Sequence, residues 1–330
     1  MTDGVAERYE RFALDEAPGR SEVYTEWATG VATDAGVQAV LERLMPQHRQ
    51  PPLVFAVSRL LGAPVAGYRS WRQFVIDHAD DLVTECARRG VQINEPLRLA
   101  ALLPALSLVE GPIALLELGA AAGLCLYPDR YSFRIDGDDG ILRRRIDPDD
   151  GPSTVLLTSA VTGELPELRV PEVIWRAGVD LDPIDVRVPA DRAWLESLIW
   201  PGEHERAERI AAAITVASAD PPLLRAGDAI EQLEGMAAAA PDGATLVVTT
   251  PGMLVYLPRP RRAELIDRIR ALDARWITID PPALHDAWRP RIDPSAFRGF
   301  AVAVDGRVVA DADPLGRWWE WRAGIGPDAA

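Results

Sequence analysis

The sequence IALLELGAAAGL, residues 113–124, decides the fold of this chain. Its first residues form an apolar run of the right length for a buried parallel strand. Gly119 and Gly123 then allow the backbone to turn tightly and to approach a ligand, and Ala120 keeps side-chain bulk small. Open α/β sheets build nucleotide sites from a strand that leads into such a turn. Taken alone, the stretch fits a plain buried strand with a tight turn equally well, because a short glycine motif has low specificity.

Composition excludes several classes of function. The chain has 330 residues and a net charge of −15, and all 35 of its basic residues are arginine. Without lysine it can form neither a Walker phosphate loop, nor a pyridoxal Schiff base, nor the site of a protein kinase. The acidic charge argues against nucleic acid as a partner. The chain has no HExxH and no GxSxG motif, and we expect no metal site.

The sequence also bears on the cellular location of the protein. No apolar run reaches the roughly 18 residues needed to cross a membrane, and the polar N-terminus has no signal-peptide pattern. The two cysteines, Cys86 and Cys125, form no CxxC pair. These features predict a cytoplasmic protein with free thiols and no membrane partner.

The hydrophobic pattern divides the chain into two predicted domains. Residues 1–110 show helical spacing without a strong strand, which predicts an all-helical N-terminal domain. Over residues 111–330 short apolar strands alternate with helices, which predicts a mostly parallel α/β sheet with antiparallel C-terminal strands. An insertion is expected around residues 124–171, where a polar loop between two short strands suggests a hairpin. Residues 191–217 are predicted to be helical.

Acidic and small polar residues follow the predicted strands. Glu117 precedes the glycine turn, Asp180 ends a later strand, Asp228 follows Gly227, and Thr249 lies near the end of a fourth strand. The carboxyl ends of parallel strands share one edge of a sheet, so these residues can converge there. A carboxylate at that edge can accept both ribose hydroxyls of a nucleoside. Helix capping or turn formation is the competing interpretation of Asp180 and Asp228.

This order of motifs resembles that of class I S-adenosylmethionine-dependent methyltransferases. ELGAAAG at residues 117–123 is similar to their first motif, VDLDP at 179–183 to their ribose-binding acid motif, and GDA at 227–229 to their adenine-contacting motif. The resemblance implies a Rossmann-like methyltransferase sheet with S-adenosylmethionine as cofactor. It also implies that the following residues contact the cofactor: Glu117, Gly119, Ala120, Gly123, Asp180, Leu181, Gly227, Asp228 and Thr249.

The chain as a whole more closely resembles the bacterial domain-of-unknown-function family 2332. That resemblance rests on ELGAAAGLCLYPDRY, RAGVDLDPIDV and DPLGRWWEW. The family is grouped with methyltransferase-like Rossmann folds and has no assigned substrate. The resemblance therefore implies a fold and a cofactor without implying an acceptor.

Two functions are consistent with these patterns. The first is a methyltransferase that acts on a small-molecule or protein acceptor, and the alternative is a non-catalytic methyltransferase-like scaffold or binding module. The long interval between Gly123 and Asp180 leaves Asp136 as a second candidate for the ribose-binding acid. The sequence identifies no catalytic base. His285 is the best-placed histidine because it follows a predicted strand end, with an ordinary loop position as the alternative.

Overall fold

The computed structural model describes residues 4–322. The α-helices are, in chain order, α1 (Val5–Arg11), α2 (Glu22–Thr33), α3 (Ala35–Leu41), α4 (Pro51–Leu60), α5 (Tyr68–Asp77), α6 (Ala79–Arg88), α7 (Arg98–Leu106), α8 (Pro189–Ser197), α9 (His204–Ala219), α10 (Ala229–Ala237) and α11 (Arg259–Ala271). Shorter helical turns are the π-helical turn Phe12–Glu16 and the 3₁₀ turns Pro46–His48, Leu254–Tyr256 and Pro294–Ala296. Within the described range, no helix combines the length and the apolar character that crossing a bilayer requires.

The strands of the described residues form one sheet of eleven strands. They are, in chain order, β1 (Ile113–Leu118), β2 (Ser132–Gly137), β3 (Leu142–Ile146), β4 (Leu156–Thr162), β5 (Val173–Asp180), β6 (Leu223–Ala226), β7 (Thr245–Pro251), β8 (Arg275–Asp280), β9 (Phe300–Val304), β10 (Arg307–Ala312) and β11 (Trp318–Trp321). Their order across the sheet is β3-β2-β4-β11-β10-β9-β8-β7-β1-β5-β6. The fold is therefore α/β with a mixed, mostly parallel sheet, consistent with a Rossmann-like arrangement.

Strand β1 is the centre of the parallel run β6-β5-β1-β7-β8. The predicted strand is confirmed, and every one of its residues is buried, as expected for a strand that is apolar on both faces. After the insertion that forms β2, β3 and β4, the chain adds β5 and β6 on one side of β1 and later β7 and β8 on the other side. Open α/β sheets bind ligands at the carboxyl ends of strands where the strand order reverses in this way. The glycine turn after β1 lies at that point.

The insertion predicted around residues 124–171 contributes strands to the same sheet. Strands β2 and β3 pair antiparallel, which confirms the hairpin. Strand β4 pairs parallel with β2 on one side and with β11 on the other. The predicted antiparallel C-terminal strands are also confirmed, because β10 pairs antiparallel with β9 on one side and with β11 on the other. The insertion therefore extends the sheet beyond the C-terminal strands.

The described chain divides into two compact units. One comprises the chain up to Ile93 together with Asp185–Ala211 and is built from helices. The other comprises Asn94–Ile184 and the chain from Ala212 onward, and it contains the whole sheet. This division differs from the predicted boundary at residue 110. The reason is that α7 is apolar on all sides and is buried along its whole length, in contact with β4, β8 and β9.

The stretch predicted to be helical over residues 191–217 contains two helices, α8 and α9, with a break between them. The break between them contains Pro201 and Gly202, and Gly202 has a φ of +103°. Proline removes a backbone donor, and a positive φ is incompatible with a right-handed helix. The apolar spacing continues on both sides of the break, so it does not mark where α8 ends and α9 begins.

Candidate functional site

The turn after β1 has a backbone that only small residues tolerate. Gly119 has a φ of +79° and Gly123 a φ of +68°, in the region that favours glycine, and Ala121 between them has a φ of +48°. A Cβ atom on Gly119 would lie 2.8 Å from Cγ of Met253. The turn therefore approaches the segment after β7 more closely than any side chain at position 119 would allow.

The backbone N–H groups of this turn all donate hydrogen bonds inside the fold. Gly119 and Ala120 donate to the carbonyl of Val179, Ala121 to Oδ2 of Asp180, Ala122 to Oδ1 of Asn94, and Gly123 to the carbonyl of Ala120. Phosphate-binding turns instead present free N–H groups to the ligand. The turn is thus a rigid backbone surface, and it has no donors in place for a pyrophosphate.

Asp180 ends β5 directly beside this turn. Its Oδ2 accepts a hydrogen bond from the N–H of Ala121 at 2.8 Å, and its Oδ1 accepts one from the N–H of Asp182 at 3.0 Å. These two bonds fix the orientation of the carboxylate beside the turn. The next residue, Leu181, is 78% exposed. A partly exposed carboxylate and an exposed apolar side chain therefore lie together at the carboxyl end of β5.

Glu117 is a buried acid near the end of β1. It lies opposite Gly178 of β5 and Thr249 of β7, it is only 4% exposed, and its Oε2 has no hydrogen-bond partner among residues 4–322. Burial raises its pKa to about 8, an effect that the charge of Arg98 opposes and that of Asp180 reinforces. The carboxyl is therefore mostly protonated at neutral pH, and a nearby cation would favour its ionisation.

Two residues that the sequence analysis missed, Asn94 and Arg98, complete the surroundings of the turn. Asn94 is buried, and its Nδ2 has no hydrogen-bond partner within the described part of the chain. Arg98, at the start of α7, donates from Nε to the carbonyl of Pro314 and from Nη1 to that of Pro251, both at 2.9 Å. The only signal in the sequence was an arginine at the start of a strongly apolar helix.

A second buried acid, Asp280, lies at the carboxyl end of β8. The side chain is fully buried, and its Oδ2 accepts a hydrogen bond from Oγ1 of Thr278 at 2.6 Å. Burial raises its pKa to about 7, while the Thr278 hydrogen bond and the charge of Arg98 lower it. The charge of one buried arginine thus acts on the acids of two strands, β1 and β8.

Asp228 follows β6, and the helix-cap interpretation is confirmed for it. Its Oδ1 accepts a hydrogen bond from the N–H of Ile230 at the start of α10, and its Oδ2 accepts one from Nη2 of Arg261, both at 2.9 Å. The N–H of Gly227 donates to the carbonyl of Asp180 at 2.9 Å, which joins the ends of β5 and β6. Asp228 therefore lies beside Asp180, with each carboxylate oxygen already bonded.

Other predicted contact residues are inside the fold. Gly123 is buried, and a Cβ atom there would lie 3.0 Å from Pro222 and 3.2 Å from Leu126. Ala120 and Thr249 are also buried. Close packing therefore explains the small size of Gly123 and Ala120 without a ligand, whereas Gly119, Asp180, Leu181, Gly227 and Asp228 all retain solvent exposure.

The sheet separates Asp136 from this group. Asp136 belongs to β2, and six strands lie between β2 and β1 in the sheet order. With about 4.8 Å between neighbouring strands, that places it roughly 30 Å away along the sheet. Its carboxylate instead forms a salt bridge of 3.0 Å with Arg134. Of the two candidate acids, only Asp180 lies beside the glycine turn.

The chain was compared with protein families, with curated proteins and with solved structures. Neither the curated proteins nor the solved structures returned a significant match. A family model described as "Uncharacterized protein conserved in bacteria (DUF2332)" matches residues 61–321, which is most of the chain. The match includes the whole sheet and the strand ends described above. The chain therefore belongs to the DUF2332 family.

Proposed function

We propose that the chain is an S-adenosylmethionine-dependent methyltransferase that binds its cofactor at the carboxyl ends of β1, β5 and β6. One observation carries the proposal. Glu117, Asp180 and Asp228 follow the order of the class I motifs, and they lie at the ends of three neighbouring parallel strands. Residues far apart in the sequence thus meet at the edge where such sheets bind nucleosides.

The side chains at this edge suit the parts of that cofactor. Asp180 would accept hydrogen bonds from the ribose hydroxyls, and the exposed Leu181 would cover the adenine ring. The unpartnered Oε2 of Glu117 and Nδ2 of Asn94 offer a buried acceptor and a buried donor, which suit an amino acid moiety with an ammonium and a carboxylate group. The cofactor would supply an electrophilic methyl group on its sulfonium. The contribution of the chain would be to hold that group in line with an acceptor, since positioning alone can supply much of the rate.

Isothermal titration calorimetry with S-adenosylmethionine, and with its demethylated product, tests this proposal. We expect the unmodified protein to bind both ligands. Leu181→Ala should weaken binding about fivefold, because it removes roughly 1 kcal/mol of apolar contact from the adenine face. Absence of heat with either ligand at millimolar concentration would refute the proposal.

Leu14→Ala is the matched control for this titration. Leu14 is 70% exposed and lies in the π-helical turn near the N-terminus. The change makes the same truncation on an exposed surface, and we expect it to leave the affinity unchanged. An equal loss of affinity in both variants would mean that the effect of Leu181→Ala does not report an adenine contact.

A second candidate function is a non-catalytic methyltransferase-like scaffold. Its support is that residues 119–123 use all of their N–H groups internally and that Asp228 is held by Ile230 and Arg261. A site whose polar groups are already bonded gains less from binding a ligand. Incubation with methyl-labelled S-adenosylmethionine and cell extract distinguishes the two functions. Transfer of the label to any acceptor, dependent on this protein, excludes the scaffold.

A further inference from the structure

A cavity lies beside α11, away from the glycine turn. Its volume is about 380 Å³, within the size range of small-molecule sites. Arg270 of α11 lines it on one side, and His285, Arg289 and Arg291 line it from the segment between β8 and β9. In a chain with a net charge of −15, a cavity lined by three arginines and a histidine is unusual.

The negative charges at this cavity do not neutralise the arginines. Asp286 also lines it, but its carboxylate is already paired with Arg259 at 3.2 Å and with Arg262 at 2.9 Å. Asp267 approaches Arg270 only to 4.0 Å. Within residues 4–322, Arg289 and Arg291 form no salt bridge. The cavity therefore carries an excess of positive charge.

Arg270 and Arg289 are close enough to disfavour each other's charge. Burial and the charge of Arg289 both lower the pKa of Arg270 from its ordinary value. Arg270 is held in place by its Nη2, which donates to the carbonyl of Ala287 at 3.3 Å. The charge of Asp267 opposes this effect only in part, and an anion in the cavity would relieve the remaining repulsion between the two guanidinium groups.

Arg289, which lines the cavity, lies near the edge of the sheet opposite the glycine turn. The N–H of Arg289 donates to the carbonyl of Gly306, in the turn between β9 and β10. Asp305 of the same turn accepts a hydrogen bond from the N–H of Trp276, at the start of β8. The amino end of β8 is about 15–20 Å from its carboxyl end at the rise of a six-residue strand. A ligand bound beside Arg289 would therefore not overlap the proposed cofactor site.

We propose that this cavity binds a phosphate-bearing small molecule through the guanidinium groups of Arg270, Arg289 and Arg291. A guanidinium group presents a planar fork of N–H donors that pairs with two oxygens of one anion. A single carboxylate offers only two oxygens, so it has fewer acceptor sites for such forks. A phosphoryl group, and still more a pyrophosphate, offers enough oxygens for several forks at once. The number of arginines around one cavity therefore favours a phosphoryl ligand over a simple carboxylate.

Calorimetric titration with inorganic pyrophosphate at low ionic strength tests this site in the full-length protein. We expect the unmodified protein to bind pyrophosphate and the double variant Arg289→Ala/Arg291→Ala to bind it at least tenfold more weakly, because each charge-assisted pair contributes about a tenfold change or more. Both arginines are exposed, so the variant should fold normally. Arg289→Lys/Arg291→Lys keeps the charge and removes the forks, and it should also weaken binding.

The control variant is Arg69→Ala/Arg144→Ala. It removes the same charge at two exposed arginines outside the cavity. Its affinity for pyrophosphate should stay within about twofold of that of the unmodified protein. The proposal is overturned if the unmodified protein does not bind pyrophosphate, if the control loses as much affinity as the cavity variant, or if the lysine variant binds normally. Equal affinity for citrate would overturn the phosphoryl assignment, since charge alone would then decide binding.

Discussion

Replacing Glu117 with glutamine tests the most informative residue of the candidate site. Burial raises the pKa of Glu117 from its ordinary value of 4.5 to about 8. A tenfold change in an ionisation constant corresponds to about 1.4 kcal/mol, so the fold disfavours the ionised carboxyl by about 5 kcal/mol relative to the unfolded chain. A glutamine side chain has nearly the same shape and no charge. The substitution therefore removes the cost of ionisation and keeps most of the packing.

The sign of the pH dependence follows from the direction of that pKa. Between pH 4.5 and about 8 the folded protein binds the proton of Glu117 more tightly than the unfolded chain does. The stability contributed by the protonated form is complete below pH 4.5 and is lost as the pH rises through about 8. The free energy of unfolding of Glu117→Gln, minus that of the unmodified protein, should therefore increase by about 5 kcal/mol across this range.

Urea denaturation of both proteins, from about pH 4.5 to about pH 9, measures this difference. Burial also raises the pKa of Asp280 to about 7, but Asp280 titrates in both proteins, so the subtraction removes most of its contribution. Glu110→Gln is the matched control, because it removes the same charge from an exposed position just before β1. We expect no pH dependence from the control. A difference for Glu117→Gln that stays constant with pH would refute the burial of an unpaired carboxyl at this position.

Further predictions concern the packing around the same edge of the sheet. Gly178→Ala should lower the free energy of unfolding by about 1–3 kcal/mol in urea denaturation, because its Cβ would lie 2.4 Å from a neighbouring alanine methyl group. Gly235→Ala, in an open position of α10, should instead raise it by up to about 1 kcal/mol. Asp228→Ala should lower the free energy of unfolding by about 1 kcal/mol in the same measurement, because the N-cap of α10 is lost. Cys86, which is buried and whose pKa is raised by that burial, should not react with a thiol reagent at pH 8 until the protein unfolds, as mass spectrometry of the labelled site would show.

The parallel centre of the sheet could be predicted because its signal is local. A central parallel strand is buried on both faces, so Ile113–Leu118 is apolar at nearly every position. Its carboxyl end is marked by the glycine that must adopt a positive φ. The same reasoning located Asp180 and Asp228 at strand ends, and the sheet places those ends side by side.

The strand partners of the insertion could not be predicted in the same way. Strand β4 pairs with β11, so Ala160 lies beside Trp318 from the far end of the chain. No pattern within either segment specifies the other, because register between distant strands depends on how the complete sheet packs. The choice between Asp136 and Asp180 depended on this pairing. The sequence alone therefore left both acids open.

The buried polar groups around the turn could not be predicted from the sequence, for a related reason. Asn94 precedes α7 and Arg98 is its first residue, the sequence of this helix is typical of an ordinary buried helix, and neither residue belongs to a motif. Their importance comes from α7 lying against the sheet, which brings Arg98 to the carbonyls of Pro251 and Pro314. Burial of a charged side chain is set by tertiary packing, so it is not encoded in the residues next to it.

The protonation state of Glu117 distinguishes the two proposed functions. In the ligand-free fold, burial keeps the carboxyl mostly protonated at neutral pH. A cationic ammonium or sulfonium group near the unpartnered Oε2 would lower its pKa and expel the proton, since opposite charges stabilise each other strongly in a buried site. A scaffold that binds no such cation leaves Glu117 protonated. Proton release when S-adenosylmethionine is added is therefore the quantity that separates cofactor binding at Glu117 from a purely structural role, and it does so without knowledge of the methyl acceptor.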